Sequence, residues 1–420
     1  MINPRISYTL GLWLLLPYVF FHLARRARKQ PEYLEHIGER FGRYVISCNK
    51  PVIWLHTVSV GETRAAASLI KRLRESYPDH QLLLTHTTPT GRAASEQLYG
   101  DNVLRVYLPY DYPSAVKRFL KHFRPRLGIL LETEIWFNLI HACHAGKIPL
   151  LLLNARLSEQ SAVRYERFAK LMQSGLQELS VIAAQTKDDA ARLTALGAGN
   201  VSVMGNLKFD IEPPPAMLEL GEQLRTRFGE NREIFLAAST REGEEALLLD
   251  ALKPLQISGL LTVIVPRHPQ RFDEVAELLT QRGIRFQRRS ENCKITPETQ
   301  VVLGDSIGEM FAYYAACDLA FIGGSLLPFG GQNLIEACAV GKPVLIGPHT
   351  YNFAQASQFA VDGGAAVRVE NITGLVHSLQ DLLSNAVDMK KTGDAGLRFV
   401  SEHRGATEQA LAHISRSMTK

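Results

Sequence analysis

Two carboxylates follow predicted strands at positions where a general base or a charge-stabilising group could act. Glu62 ends the stretch HTVSVGE, in which an apolar strand gives way to a helix, and Glu132 comes directly after the apolar run LGILL. A carboxylate in the first helical turn also complements the helix dipole, so Glu62 has a purely structural interpretation as well. Because parallel strands end at one edge of a sheet, we expect Glu62 and Glu132 to converge there.

Cationic residues at other strand ends could hold a phosphate. Lys208 lies in GNLKFD, just before three consecutive prolines, and Arg267 and His268 follow the apolar run LTVIV. An ammonium group supplies a point charge, whereas a guanidinium group suits bidentate contact with a phosphate. We expect these three side chains to face a ligand that carries negative charge.

A glycine-rich stretch, FIGGSLLPFGGQNLIEACAVGKPVLIG, begins at Phe321. Its pattern predicts a strand, a loop, a helix over about 332–340 and a second strand. In open α/β sheets such a loop lies at the carboxyl end of the strands, where backbone N–H groups and the helix dipole can bind a phosphate. Gly324 and Ser325 are therefore expected in that site. The same glycines also suit an ordinary, tightly packed corner between strand and helix.

Four polar residues close to predicted helix starts have structural and functional interpretations. Asn333 and Glu336 are three residues apart, so they share a helix face from which they could contact ribose hydroxyls. Glu242 and Glu309 each complete the pattern S-x-x-E, which is typical of a capped helix start and gives the acid a structural role. A capped helix start can nevertheless present its amides to a ligand.

Patterns for other catalytic schemes are lacking in the sequence. His141 and His144 do not have the spacing of a zinc-binding H-E-x-x-H helix, and no G-x-S-x-G, Walker lysine loop or D-x-D at a strand end is present. The five cysteines are an odd number and widely spaced, which predicts reduced thiols and no zinc framework. The sequence therefore favours chemistry without a metal or another cofactor.

The elements that must position these residues alternate between short apolar strands and amphipathic helices. Such alternation predicts parallel sheets covered by helices on both faces. Three prolines at 213–215 interrupt the pattern, so we place a linker at 211–216 between two doubly wound α/β domains, 31–210 and 217–420, that face a ligand-binding cleft. The predicted strands are 52–56, 81–85, 103–107, 127–131, 149–153, 181–184, 234–238, 261–265, 301–303, 319–322 and 344–346.

The chain begins with an apolar segment that predicts an uncleaved membrane anchor within residues 1–30. The stretch ISYTLGLWLLLPYVFFHL carries no charge apart from a possible one on histidine, and ARRARK follows it. Cations on the carboxyl side predict that the rest of the chain stays cytoplasmic, and the anchor either spans the membrane or lies in its inner leaflet. A buried core helix is the alternative. Arg25, Arg26, Arg28 and Lys29 could contact anionic headgroups or only set the topology.

The net charge of the chain does not indicate a nucleic-acid partner. The 47 Lys and Arg residues exceed the 42 Asp and Glu residues, which leaves a formal charge of +5. This mild excess suits an acidic partner such as anionic lipid.

Nine motifs in order along the chain resemble the 3-deoxy-D-manno-octulosonic acid (Kdo) transferase family of lipopolysaccharide biosynthesis: HTVSVGE, HTTPTGR, ETEIWFN, NARLSEQS, GNLKFD, ASTREGEE, VPRHPQR, GDSIGEM and GGQNLIEA. The resemblance implies a glycosyltransferase B fold of two Rossmann-like domains. It further implies CMP-Kdo as donor, lipid IVA as acceptor, inversion of the sugar centre, and catalytic domains on the cytoplasmic side of the inner membrane. The motifs do not specify the oligomeric state or how many Kdo residues are added.

The resemblance also implies roles for individual residues. Glu62 matches the general base, and Glu132 and Lys208 match residues that stabilise the transition state. The residues that match donor nucleotide contacts are Arg267, His268, Gly308, Glu309, Met310, Asn333, Leu334, Ile335 and Glu336. Three residues depart from the family pattern: Arg241 and Gln332 each replace a histidine, and Phe137 replaces a proline.

Two other functions are compatible with the same residues. A nucleotide-sugar epimerase has this architecture and would use Glu62 and Glu132 on a bound UDP-sugar, but it should be soluble and act on the donor alone. A non-catalytic, membrane-tethered interaction protein is the other alternative, and the ordered motifs in both domains weigh against it.

Overall fold

The computed structural model describes residues 4–28, 30–255, 257 and 259–419. Lys29, part of the predicted basic flank, lies outside the described residues. The chain forms two compact units, one of Met1–Asp210 together with Arg404–Lys420 and one of Ile211–His403. Each unit contains one parallel sheet of seven strands, as expected for a doubly wound α/β fold.

In the first unit the strand order reverses at the centre of the sheet. The order is β3-β2-β1-β4-β5-β6-β7, so β1 and β4 are neighbours although two strands separate them in sequence. Loops that leave neighbouring strands at such a reversal open a crevice at the carboxyl edge, which is where ligands of open α/β sheets bind. The strands are β1 (Val52–His56), β2 (Gln81–His86), β3 (Leu104–Tyr107), β4 (Pro125–Leu131), β5 (Leu150–Ala155), β6 (Val181–Ala184) and β7 (Val201–Val203).

Helices cover both faces of this sheet, and several begin at hydroxyl side chains that accept a hydrogen bond from the first turn. Ser59, Thr88, Ser158 and Thr186 are such caps. The helices are α1 (Pro4–Leu14), α2 (Leu16–Ala27), α3 (Val60–Ala65), α4 (Ala67–Ser76), α5 (Pro89–Tyr99), α6 (Pro113–Phe123), α7 (Phe137–Ala145), α8 (Glu159–Glu166), α9 (Ala169–Gln177) and α10 (Lys187–Ala195).

The predicted anchor is two helices. Pro17 lies near the start of α2, where its lack of an N–H group is tolerated but continuation of α1 is not. None of the described helices is by itself long and apolar enough to cross a membrane, and only α1 and α2 together, bent by 49°, reach that length and composition.

One side of α1 packs on the first unit while apolar side chains elsewhere on α1 and α2 remain exposed. The Tyr8 hydroxyl donates to Asp111 Oδ2 at 2.9 Å, and the Tyr112 hydroxyl donates to the carbonyl of Leu12 at 2.8 Å. Leu14 is 82% exposed and Phe21 65% exposed. The segment therefore differs from the alternative of a buried core helix.

The second unit repeats the reversal of strand order, here between β8 and β12. The order is β10-β11-β9-β8-β12-β13-β14. The strands are β8 (Ile234–Thr240), β9 (Leu261–Pro266), β10 (Phe286–Arg288), β11 (Val301–Leu303), β12 (Leu319–Ile322), β13 (Val344–Ile346) and β14 (Ala366–Arg368). The helices are α11 (Pro215–Phe228), α12 (Glu244–Leu252), α13 (Phe272–Gln281), α14 (Met310–Ala316), α15 (Ile335–Ala339), α16 (Ala354–Asp362), α17 (Ile372–Ser384) and α18 (Ala386–His403).

Two predicted boundaries differ from the structure. The last helix, α19 (Ala406–Met418), belongs to the first unit and not to a second domain that runs to residue 420, because Ala406, Ala410 and Ile414 pack into the apolar core around β1 and β4. The linker in the structure is shorter than the predicted 211–216, because Pro215 is already the first residue of α11.

Candidate functional site

Glu62 lies in the first turn of α3, directly after β1, and its carboxylate is held by the chain that leads into the helix. The backbone N–H of Val58 donates to Glu62 Oε2 at 2.8 Å, and the Ser59 hydroxyl donates to Oε1 at 3.0 Å. Ser59 Oγ in turn accepts from the backbone N–H of Glu62 at 3.3 Å. The structural role at the helix start is therefore real, and it also fixes the orientation of the carboxylate.

The surroundings of Glu62 make it a stronger base than an exposed glutamate. Burial raises its pKa above the ordinary value of 4.5, and the negative charge of Glu132 raises it further. The hydrogen bonds from Val58 and Ser59 and the proximity of His56 oppose this rise. A base whose pKa approaches the working pH accepts protons more effectively in a transition state.

Glu132 lies at the end of β4 in a strained backbone conformation. Its φ is +59°, in the left-handed region that L-residues rarely adopt. Its N–H donates to the Leu153 carbonyl at 3.2 Å, and Oε1 lies 3.2 Å from Lys208 Nζ. Strain of this kind persists where the surrounding structure enforces it, commonly at functional sites.

Lys208 is positioned by a single 3-10 turn, Leu207–Phe209, whose first two N–H groups donate to asparagine side chains. Asn206 Oδ1 accepts from Lys208 N at 3.0 Å, and Asn154 Oδ1 accepts from Leu207 N at 3.1 Å. Gln185 Nε2 donates to the Asn154 carbonyl at 3.0 Å. Asn154 was not among the predicted site residues, although an asparagine at the end of an apolar strand was a usable signal.

His56 and Glu134 complete this cluster and were not predicted as site residues. His56, the last residue of β1, is 0% exposed, and its Nε2 lies 3.7 Å from Glu134 Oε2. Trp136 Nε1 donates to the same carboxylate oxygen at 2.7 Å. The carboxyl edge between β1 and β4 thus brings together Glu62, Glu132, Glu134, Lys208 and His56.

In the second unit Arg267 and His268 follow β9, next to two of the residues that depart from the family pattern. Arg267 Nε donates to Gln332 Oε1 at 3.1 Å, and the Arg241 guanidinium lies 4.4 Å from the centre of the Phe329 ring. Burial lowers the pKa of His268, and the charges of Arg241 and Arg267 lower it further. This cluster attracts anions.

At Gly324 and Ser325 of the glycine-rich loop, where we expected a phosphate site, the Gly324 N–H and the Ser325 hydroxyl are hydrogen-bonded within the protein. The buried carboxylate of Glu244 accepts from the N–H groups of Gly324 at 2.6 Å and Leu326 at 3.0 Å, and from Arg241 N at 2.9 Å. Ser325 Oγ donates to the carbonyl of Ile322 and accepts from the N–H of Gly347 at 2.8 Å. These groups are satisfied inside the protein. Glu244 was not among the predicted site residues.

The helix after this loop is shorter than predicted. It was expected over 332–340, but α15 spans only Ile335–Ala339, because the loop N–H groups of Gly331 and Gln332 bond back to the carbonyls of Gly324 and Gly323. So short a helix has a correspondingly weak dipole effect.

Four predicted donor contacts lie in or just before α15. Asn333 Nδ2 donates to Glu336 Oε1 at 3.1 Å, so these polar groups share a face as predicted. Leu334 and Ile335 are 0% exposed, and their side chains belong to the core.

Neither predicted capping box caps a helix in the structure, and the glutamate of each makes other contacts. Ser306 Oγ donates to Glu309 Oε2 at 2.6 Å, but α14 begins only at Met310, after Gly308 with φ +86°. The Arg289 guanidinium pairs with the Glu309 carboxylate at 3.3 Å.

The second predicted capping box is also absent. Helix α12 begins at Glu244, with Gly243 and not Ser239 as its cap, and Glu242 pairs with Arg241 at 3.0 Å.

Phe137, the third departure from the family pattern, packs edge-on against Tyr8 of α1, with ring centres 5.1 Å apart. It therefore serves the packing of that helix.

Within the described residues, no group of three or more His, Cys, Asp or Glu side chains could hold a metal ion. The five cysteines are unpaired. His141, considered as a metal ligand, pairs instead with Glu178 at 2.9 Å.

Comparison with known proteins identifies the family. Residues 35–211 match the family model described as 3-deoxy-D-manno-octulosonic-acid transferase (kdotransferase). The chain is 41% identical to the 3-deoxy-D-manno-octulosonic acid transferase of Bordetella pertussis, over 97% of this chain and 98% of the relative. It is 36% identical to the enzyme of the same name from Haemophilus influenzae, over 97% of each chain.

Solved structures agree on the fold. A glycosyltransferase from Rickettsia africae superposes with a TM-score of 0.59 at 16% identity, covering 89% of this chain and all of that one. At that identity the likeness concerns the fold alone, which is the glycosyltransferase B architecture of two Rossmann-like units. Together with the identities above, it shows that the chain is a glycosyltransferase that belongs to the 3-deoxy-D-manno-octulosonic acid transferase family.

Proposed function

We propose that this protein transfers Kdo from CMP-Kdo to lipid IVA, with Glu62 as the general base. The observation that carries the proposal is the position of Glu62: a fixed carboxylate of raised pKa beside Glu132 and Lys208, at the strand reversal of a Kdo transferase. Family membership favours transfer over the epimerase reaction, and the clustered charged groups argue against a non-catalytic role.

The acceptor group in this proposal is a sugar primary hydroxyl, which is a weak nucleophile at neutral pH. Glu62 takes its proton while the oxygen forms a bond to the anomeric carbon of Kdo and the bond from that carbon to the CMP phosphate breaks. A single displacement of this kind inverts the sugar centre. Proton removal in the transition state contributes roughly 10²–10⁴-fold to such reactions.

Negative charge builds on the phosphate of CMP as it departs, and cations can stabilise it without a metal ion. Lys208 is one such cation, held 3.2 Å from Glu132 Oε1. In the second unit Arg267 and His268 would bind the phosphate, with Asn333 and Glu336 at the ribose. Gln332 orients Arg267 by accepting from its Nε at 3.1 Å.

We further propose that α1 and α2 attach the protein to the cytoplasmic leaflet of the inner membrane, where a glycolipid acceptor would lie. Support comes from the exposed apolar side chains of both helices and from Arg25 and Arg26 in the last turn of α2. Each cation near an anionic surface contributes about 1 kcal/mol. Alkaline carbonate extraction tests the mode of attachment, since release into the soluble fraction would exclude a spanning helix.

The decisive experiment uses the detergent-solubilised protein, CMP-Kdo generated in situ and purified lipid IVA, with mass spectrometry of the lipid. Wild type should add the mass of Kdo, and the number of increments would count the residues transferred. The Glu62→Gln variant should lose transfer while CMP-Kdo binding stays nearly intact. Loss of donor binding would instead make Glu62 a donor ligand. Transfer by the wild type should be undiminished in excess EDTA. An absolute requirement for Mg²⁺ would overturn the metal-free scheme.

A further inference from the structure

Two arginines of the second unit follow neighbouring strands at the same level of the sheet. Thr240, the last residue of β8, pairs in register with Pro266, the last residue of β9. Arg241 and Arg267 are the next residues, and the backbone N–H of Arg267 donates to the Thr240 carbonyl at 3.0 Å. Neighbouring strands lie about 4.8 Å apart. The two arginines therefore leave the carboxyl edge of this sheet side by side.

The side chains of these arginines share their neighbours. Arg241 Cγ and Gln332 Nε2 each lie 3.3 Å from the position that a Cβ atom at Gly324 would take. The Gln332 amide oxygen accepts from Arg267 Nε at 3.1 Å. Burial lowers the pKa of His268, and the positive charges of both arginines lower it further. The two guanidinium groups therefore act on one region of the edge.

The Arg241 guanidinium is fixed at one face and at Nε. It lies over the Phe329 ring, 4.4 Å from the ring centre, and Nε donates to Glu242 Oε2 at 3.0 Å. Its two terminal NH2 groups donate no hydrogen bond to any residue that the structure describes, and its side chain is 23% exposed. A guanidinium stacked on an aromatic ring is already oriented when a planar anion arrives.

The acidic side chains near Arg241 do not occupy those NH2 groups. Glu245 pairs with Arg271 Nη1 at 2.6 Å, and the buried Glu244 accepts from backbone N–H groups. Glu242 contacts only Nε of Arg241 and is 49% exposed, so water screens its charge. Arg241 therefore retains the capacity to bind an anionic ligand.

The donor in the proposed function carries two anionic groups on one carbon. Kdo is a sugar acid whose carboxylate is bonded to the anomeric carbon, and in CMP-Kdo a phosphate oxygen is bonded to the same carbon. The proposed function assigns Arg267 and His268 to the phosphate, which leaves the carboxylate without a cation. Anions on one carbon call for cations side by side, and paired guanidinium N–H groups match a planar carboxylate.

We propose that Arg241 binds the carboxylate of the donor sugar and so makes the second unit select a nucleotide that carries a sugar acid. The inference rests on the proposed function and adds to it the group that recognises the acid. No bond forms or breaks at Arg241, because the carboxylate remains on Kdo before and after transfer. The effect of Arg241 is therefore on donor affinity.

A comparison of CMP-Kdo with CMP tests the proposal, because CMP has the phosphate but no sugar carboxylate. In Arg241→Gln the KM for CMP-Kdo should rise about 10–100-fold, the usual loss for a hydrogen bond between charged groups. The inhibition constant of CMP against transfer should change less than about threefold, which also shows that the second unit is folded. An equal rise for CMP, or an unchanged KM for CMP-Kdo, would overturn the proposal.

Three further variants sharpen this test. Arg241→Lys, which keeps the charge but not the paired NH2 groups, should recover part of the lost affinity for CMP-Kdo. Arg267→Gln, at the residue assigned to the phosphate, should raise both constants together. Arg282→Gln is the matched control, since it removes an arginine of the same unit that pairs with Asp250 at 3.0 Å, and both constants should stay as in the wild type.

Failure of this inference can be told apart from failure of the proposed function. A wild type that transfers no Kdo from CMP-Kdo would refute the proposed function and the role of Arg241 with it. Normal transfer by the wild type, with parallel changes of both constants in Arg241→Gln, would refute only the role of Arg241.

Discussion

The two units are built on the same seven-stranded plan, yet the carboxyl edges of their sheets are organised in opposite ways. In the first unit, the residues after β1 and β4 keep carboxylates close together, with strain at Glu132 and a raised pKa at Glu62. In the second, the buried carboxylate of Glu244 satisfies the loop N–H groups, and arginines gather around His268.

A shared fold therefore does not fix how its ligand-binding edge is used. The carboxyl edge of the first sheet carries side chains that can change protonation state. The carboxyl edge of the second sheet carries an internally hydrogen-bonded loop beside arginines, whose charge is permanent. The first suits proton transfer, and the second suits holding an anion. Four experiments test whether this contrast is correct.

The largest effect is expected from Lys208→Met, which removes the cation of the first edge. Transfer should fall by roughly 10²–10³-fold, the usual loss for one group that stabilises transition-state charge. CMP-Kdo affinity, measured by calorimetry, should change little. Lys208→Arg is the control that retains the charge, and it should recover part of the rate. A large loss of donor affinity in Lys208→Met would place Lys208 in the donor site. It would contradict the assignment of anion binding to the second edge alone.

Glu244→Ala tests whether the second edge is a rigid, internally bonded loop. The variant leaves the N–H groups of Gly324 and Leu326 without their acceptor, and each buried unpaired group costs about 1–3 kcal/mol. We expect the free energy of unfolding of the second unit to fall by about 3 kcal/mol in urea denaturation. Glu242→Ala, at an exposed ion pair, should change it by less than about 1 kcal/mol. Equal effects of both variants would refute the structural role of Glu244.

Asp111 is a carboxylate of the first unit that resembles Glu244, because it is buried and accepts from backbone N–H groups. It accepts from the N–H groups of Asn138 and Leu139 at 2.9 and 2.8 Å, and burial raises its pKa from 3.8 to about 6. A raised acid pKa favours the protonated folded state, so this contribution is present at low pH and is lost as the pH rises toward 6.

Asp111→Asn should therefore remove about 2–3 kcal/mol of stability change between pH 4 and pH 6. The measurement is urea denaturation of both proteins across that range, with the exposed Asp101→Asn as control. An unchanged pH slope would show that Asp111 titrates alike in the folded and unfolded chain.

The smallest effect is expected from Gln332→Ala, which removes the oxygen that accepts from Arg267 Nε at the second edge. One side-chain hydrogen bond contributes about 0.5–1.5 kcal/mol, so the dissociation constant for CMP-Kdo should rise about 3–10-fold. The exposed Gln358→Ala should leave it unchanged. An unaltered affinity in Gln332→Ala would mean that Arg267 is oriented by other contacts.

The sequence predicted the strands that carry the candidate site, but it missed three of the four edge strands of the two sheets. Runs such as those of β1, β4 and β9 are continuously apolar because both faces of a parallel strand are buried. The strands β7, β10 and β14 were not predicted. Each is an edge strand of only three residues, most of them not fully buried, so it lacks the apolar run on which the prediction depends.

Among the site residues, spacing alone identified those that directly follow strands. Glu62 and Glu132 were expected to converge, and they lie together in the structure. Glu244 and Asn154 were not found, because their partners lie about 80 and 50 residues away in the chain. The glycine pattern was compatible with a phosphate loop and with a packed corner, and the sequence could not show that Glu244 accepts from the N–H groups of Gly324 and Leu326.

The sequence by itself determined two doubly wound units, the strand ends that carry charge, and the family. These follow from local periodicity and ordered motifs, which are properties of neighbouring residues. Only the tertiary structure decided which of those charges meet, where α19 packs, and that the apolar start of the chain is a bent pair of helices. Such outcomes depend on contacts between distant segments, whose burial and hydrogen bonding no local pattern specifies.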